Sequence, residues 1–553
     1  MKYFWAIILG VTGASIVTAQ AVPQDAAQNC QVDQQTFDKW FKSGTPTLNG
    51  FVNPADSLDF MESSVCDFYA WAKRMFLWLT SPGKSHVFDS AVFYDVSPPD
   101  SSHRRTFLPH TGTSFVHTMV SRAAKEGPDG VPIIVDKSGQ VFDVIKPSVN
   151  DSGKPMILDN AGNLAEVSQV SITPNHKLAF RDRSGKTIEP LFGSAAGTES
   201  LPPNAIRAAH EFIVNGSPVL VDSNDNIIDV EQGQAFSNGV MATQTKGLVY
   251  YLVMTNDVYA YFLTGVKNGA FPGAQFPTSK MDLDPIQMYA KMHGTSFTDA
   301  QALTIELKSS WIEVTNQTKS NYITTTATIP TYDMSDPTKW VPNGKKKATL
   351  GLLGLHIVGS VAGHPEMIWA TFEHFGDTPN AAYSYINTSM QTTQVPQNTA
   401  GTWLFSAPGS TGPFNTLHMK TDGANIVAAP PFTISPSDTL RTYPWGGAGG
   451  NAPANTNLIS IQNSVSALMP KGDIRSNYFL VGATWTNGGT APPGGQAGAT
   501  NVANSTMETY TQVPNGCFKC HSSSKSPSLA PDVLSHIFGG ENTGLMPLFA
   551  AKK

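Results

Sequence analysis

Apolar residues recur at helical spacing in two stretches near the start of the chain. Thr36-Phe37-Asp38-Lys39-Trp40-Phe41 begins one amphipathic turn, and residues 66–79 carry Phe68, Trp71, Met75, Phe76 and Trp78 close to a 3.6-residue period. Ser81-Pro82-Gly83 stops the second helix. Its aromatic stripe reads as core rather than as a cofactor contact. Over residues 131–230 the period changes. Apolar residues, an Asp, two turn residues, Gly or Asp, and another apolar run recur at 134–141, 157–164, 179–186 and, more loosely, 220–227. Asp and Asn cap such turns and Gly accepts a positive φ, so each copy predicts a β-hairpin. One carboxylate per hairpin does not build a calcium site, and the spacing is not that of an EF-hand loop.

Further on, 257–263 predicts a helix, and 303–307, 311–314 and 322–327 predict strands. Residues 347–361 and 367–375 predict two more, joined by Gly363-His364-Pro365-Glu366. From 375 to about 512 the chain is rich in Gly, Pro, Asn, Ser and Thr with little periodicity. That predicts irregular chain packed across the surface. The fold class expected is α+β, predominantly β. A signal peptide (1–21) precedes a helical segment with a disulfide (22–130). A hairpin-repeat region (131–230), a β-rich main body (231–512) and a short helical attachment segment (513–553) follow.

Composition narrows the function. Of 553 residues 40% are apolar and only 14% charged, with a net charge of -6. This excludes a disordered polyelectrolyte, and no basic run points to nucleic acid. Lys2, the apolar run 4–17 and Ala19-Gln20-Ala21 read as a cleaved signal peptide. No later stretch reaches the ~18 apolar residues of a membrane span. The mature protein is expected to be periplasmic or otherwise exported, without a transmembrane anchor. Cys30 and Cys66, two of four cysteines, are expected to pair in such an oxidising compartment.

The other two stand in Cys517-Phe518-Lys519-Cys520-His521. Thiols at this spacing share one helical turn and can form thioethers to the vinyl groups of one haem c, with His521 ligating the iron. A zinc site would need two more ligands nearby, and a thioredoxin-type pair would follow a strand in a βαβ unit. Neither context is present. The stretch beyond His521 is too short for an ordinary small cytochrome domain, so the haem is expected to pack against the upstream body. For the far face of the iron there are three possibilities: His536 in Asp532-Val533-Leu534-Ser535-His536-Ile537-Phe538, Met546 in Gly544-Leu545-Met546-Pro547-Leu548-Phe549, or an open site.

Several segments together resemble a family of large, exported bacterial proteins described as cytochrome c family proteins. They are 76–82 (Phe-Leu-Trp-Leu-Thr-Ser-Pro), 354–360 with 363–374 (Gly-His-Pro-Glu-Met-Ile-Trp-Ala-Thr-Phe-Glu-His), 504–510 before the haem motif and 534–538 after it. The resemblance implies haem binding and a redox role, and no catalytic residue. If 367–374 is one strand, Trp369, Thr371 and Glu373 face one way and Ile368, Ala370, Phe372 and His374 the other. His356, His364 and His374 with Glu366 and Glu373 are ligand types for a second metal, for a haem-pocket lining or, more simply, hydrogen-bonded core. The leading expectation is an electron-transfer protein working with a redox partner protein or a small-molecule electron donor or acceptor. A haem enzyme with an open iron (a peroxidase or small-molecule oxidase) is the alternative. A binding protein that works through its β-repeats is a third reading.

Overall fold

The computed structural model describes residues 22–550, apart from stretches scattered through 83–238 and Pro430, 448–449, Val513, 523–526, His536 and 540–542. The signal-peptide expectation and the hairpin turn at 136–140 lie outside the described residues.

The molecule is α+β and predominantly β. Its centre is an antiparallel sheet whose main path, in spatial order, is β9-β8-β7-β6-β4-β3-β1-β2. These strands are β1 (Phe93–Val96), β2 (Phe107–Pro109), β3 (Val249–Asn256), β4 (Ile305–Glu313), β6 (Lys339–Val361), β7 (His364–His374), β8 (Tyr478–Thr486) and β9 (Gln496–Gly498). The strand β5 (Thr324–Asp333) pairs with the outer half of β6. The expected helices are present. Asp33 caps α1 (Gln34–Trp40), and a Ser64/Asp67 capping box opens α2 (Val65–Leu79). The disulfide Cys30–Cys66 joins the start of α2 to the chain before α1. The helices α3 (Asp257–Lys267) and α4 (Lys280–Met292) follow β3.

Register decides what each face of the sheet carries. Leu307, Ile357 and Ala370 lie in one row across β4, β6 and β7, on the face covered by α2 and by α5 (Ala452–Leu468). Phe76 of α2 stacks on Phe372 at 4.4 Å. One residue away along each strand, Lys308, His356 and Thr371 form a row on the opposite face, and Glu306, Val358 and Trp369 form the next. That face is covered by α3, by the chain at 501–512 and by the C-terminal segment. Asn504 presses so closely on Gly354 that a Cβ there would sit 2.5 Å from its side-chain amide. The expected alternation of Trp369 and Thr371 against Ile368, Ala370 and Phe372 is therefore present.

The stretch 375–512 is a correction. It holds α5 and β8, which lies between β7 and β9. All nine residues of β8 are buried, so no polar alternation marks it, and α5 buries Asn455, Thr456, Ser460 and Gln462 along with its apolar residues. The turn between β6 and β7 is also tighter than expected: His364, Pro365 and Glu366 already belong to β7.

Hairpins form at 159–163 and 182–186, and Val221 bridges Ile227 around a third turn. In each, the Asp Oδ1 accepts the N–H groups two and four residues on: Ala161 and Asn163, Ser184 and Lys186, Asn224 and Asn226. Gly162 and Gly185 sit at φ 78° and 82°, which a side chain would strain. These hairpins close over a separate small core around Phe180 and Phe212. Among the described residues no helix is long and apolar enough to cross a membrane.

Candidate functional site

Positions 517 and 520 lie one turn apart on α6 (Gly516–Cys520), which begins after Asn515 in a left-handed conformation. The N–H of Asn515 is held by the side chain of Asn501, and the N–H of His521 donates to the Cys517 carbonyl. Phe518 is fully buried. It meets Trp369 edge-on at 6.1 Å, and the His521 ring lies 4.2 Å from the same indole. The site is thus anchored on β7.

His521 Nδ1 is 2.7 Å from the carbonyl oxygen of Leu534, the last residue of α7 (Pro531–Leu534). A carbonyl only accepts, so Nδ1 carries the proton and the Nε2 lone pair is the one that can face a metal. Metal-binding histidines are commonly oriented in this way by a backbone carbonyl.

Beside Leu534 begins a buried polar network. Ser535 Oγ donates to Glu306 Oε2 at 2.6 Å and lies 2.8 Å from the Tyr259 hydroxyl. A serine has one proton to give, so Tyr259 donates to Ser535. Tyr259 is placed by the N-cap of α3: Asn256 Oδ1 accepts from the N–H groups of Tyr259 and Ile305, fixing α3 against β4. Burial pushes Glu306 up to about 7, against the opposing pull of the Ser535 hydrogen bond and the charges of Lys308 and Arg105. Two residues along β4, Lys308 pairs with Glu508 at 2.6 Å, and His356 Nε2 pairs with the other carboxylate oxygen at 2.9 Å. Thr371 closes this row on His356 Nδ1. Burial opposes ionisation of Glu508, but His356 and Lys308 outweigh it and hold the carboxyl well below its usual range. One face of the sheet therefore sets a hydrophobic wall, Trp369 and Phe518, beside a line of paired charges.

Of the candidate distal ligands, His536 lies outside the described residues. Met546 is half-buried, and its N–H donates to the Arg105 carbonyl where Gly544–Leu545 pairs with Arg104–Arg105. The helix expected over 532–538 ends at Leu534. The three strand histidines are not gathered. His356 belongs to the Glu508 row. His364 bonds Glu366 and Glu62, and His374 bonds the Asn321 carbonyl and the Gly376 N–H. Among the described residues no group of three or more His, Cys, Asp or Glu side chains is arranged to hold a metal ion.

Glu306, Lys308 and Tyr259 were not singled out from the sequence. For Glu306 and Lys308 the signal was two charges at alternate positions of one strand; Tyr259 carried none. Glu508 and Ser535 fall inside segments that carried the family resemblance. No protein-family model, no curated protein and no solved structure matches the chain, so that resemblance stands on the quoted segments alone.

Proposed function

We propose that this protein is an exported c-type cytochrome. Cys517 and Cys520 would hold one haem covalently, and His521 would ligate its iron from one side. The observation that carries this reading is the His521 Nδ1 contact to the Leu534 carbonyl. It fixes the tautomer a ligand needs, at the motif position where the ligand belongs. When bound, haem supplies a one-electron iron couple. The chain's own residues orient the imidazole through the Leu534 carbonyl and the Trp369 indole. The Cys30–Cys66 disulfide supports export, because such bonds persist in oxidising compartments. The redox partner is a protein or a small-molecule electron donor or acceptor.

The test is an absorption and EPR spectrum of the purified holoprotein, with the haem assayed after denaturation. Haem that stays with the chain in wild type and is lost in the Cys517→Ala/Cys520→Ala double variant is the expected result. Haem-free wild-type protein from a host with a working haem-attachment system would sink the reading. A low-spin iron indifferent to cyanide fits electron transfer with His536 or Met546 on the far face. A high-spin, cyanide-binding iron would instead favour a haem enzyme.

A further inference from the structure

The chain following His521 borders a cleft of about 850 Å³, inside the size range of small-molecule sites. Its walls come from the end of α3 and the loop after it, from 527–532 and from Phe538. Val266, Ala274, Leu529 and Phe538 make it largely apolar. Among the described residues that line it, Lys267 is the cation. Lys267, the last residue of α3, donates to the Thr543 carbonyl at 2.9 Å and lies over the Phe538 ring at 5.7 Å. Among the described residues no carboxylate lies within ion-pair distance of it.

The ammonium is half-buried and has three donors. One donor is accounted for by Thr543, and Phe538 offers only a ring face. We propose that this cleft binds a carboxylate-bearing group, with Lys267 as its counter-ion and Phe538 and Leu529 as the apolar bed for the remainder. Burial lowers the Lys267 ammonium to about 8, against the weaker pull of Asp532. Asp532 is exposed on the same cleft wall, beyond ion-pair distance of Lys267. The carboxylate has two possible sources of the same chemistry. One is a propionate of the haem attached a few residues upstream, and this source rests on the function proposed above. The other is a free organic acid entering from solvent.

Three forms of the purified holoprotein decide it: wild type, Lys267→Met and Lys267→Arg, matched for haem content and thermal stability. Benzoate is titrated by calorimetry, and the midpoint potential is measured from pH 6 to 9. If the group is a haem propionate, benzoate does not bind the wild type. Lys267→Met then lowers the potential, because a cation that opposes iron oxidation is gone. The expected size is at least a tenfold change in the redox equilibrium, about 59 mV for one electron, and Lys267→Arg restores most of it. If the group is a free acid, benzoate binds the wild type, at least tenfold more weakly in Lys267→Met and nearly normally in Lys267→Arg. An unchanged potential together with benzoate binding that is absent or indifferent to Lys267 overturns the proposal. Wild-type protein without haem would refute the cytochrome reading alone, since the benzoate titration can still be run.

Discussion

The indole of Trp369 and the imidazole of His521 lie 4.2 Å apart, tilted by 48°. This contact fastens the haem-motif segment to the central strand β7. The indole also meets Phe518, so it supports one face of α6 along with the residue that ends it. Replacing a buried Trp by Ala typically costs about 3–5 kcal/mol through lost contacts and an unfilled cavity. We expect Trp369→Ala to lower the denaturation midpoint accordingly. The imidazole keeps its Leu534 bond but loses its lateral support, so on the cytochrome proposal the EPR signal of the holoprotein should broaden as the ring samples more orientations. Wild-type stability with an unbroadened signal would show that the wall is not structural.

Glu306 ties the C-terminal segment to the sheet, and its ionisation should be visible in stability. Its carboxyl titrates near 7 in the folded protein, against an ordinary 4.5. Between those values the folded state holds a proton that the unfolded chain has released. Stability from this group is full below about pH 4.5 and is lost as pH rises through 7, by up to about 3 kcal/mol at 1.36 kcal/mol per pH unit. Glu306→Gln should flatten that part of the profile. Asp257, also pushed up to about 7 by burial, contributes a similar slope, so the quantity to measure is the difference between variant and wild type. Parallel profiles for the two proteins would refute the assignment.

Part of this site could be read directly from the residues. Cys517, Cys520 and His521 are adjacent in the chain and carry a fixed chemical spacing. The helix α2 announces itself by aromatic residues at helical spacing, and the Asp-Gly hairpins by their polar turns. The carbonyl partner of His521 could not be read, because any residue supplies a carbonyl. Ser535, Glu306 and Tyr259 come from three distant parts of the chain and meet only through the pairing of β3 with β4 and the docking of α7. The strand β8 was invisible because both its faces are buried, which removes the alternation that marks a strand.

In the hairpin module the Asp182 carboxylate works on its own turn. Its Oδ1 accepts from the N–H groups of Ser184 and Lys186 and from the Ser184 hydroxyl. Asp182→Ala should speed hydrogen exchange at the Ser184 and Lys186 amides, whereas Asp182→Asn, which keeps an acceptor oxygen, should leave it near wild type. Added calcium should protect neither. Calcium-dependent protection in the wild type would instead make these aspartates ligands.

The disulfide lies on the other side of the sheet from the haem motif, which makes it a control for both. Cys30 and Cys66 are 36 positions apart. Closing such a loop removes unfolded-state entropy worth about 3–4 kcal/mol in the chain-entropy model. The folded chain around Cys30 has other anchors. Its N–H and carbonyl both bond Ser460 of α5, and the N–H and carbonyl of Val32 both bond Ser464. The double variant Cys30→Ser/Cys66→Ser should therefore fold to the same structure and unfold at lower denaturant, by an amount near that estimate. If haem is bound as proposed, its spectrum should match wild type, because α6 and α7 rest on Trp369 and Glu306, whose side chains leave the sheet away from α2. A loss of stability with an altered haem spectrum would show that α2 and the haem segment communicate through β6 and β7. An unchanged denaturation midpoint would show that the loop-closure account does not hold for this disulfide.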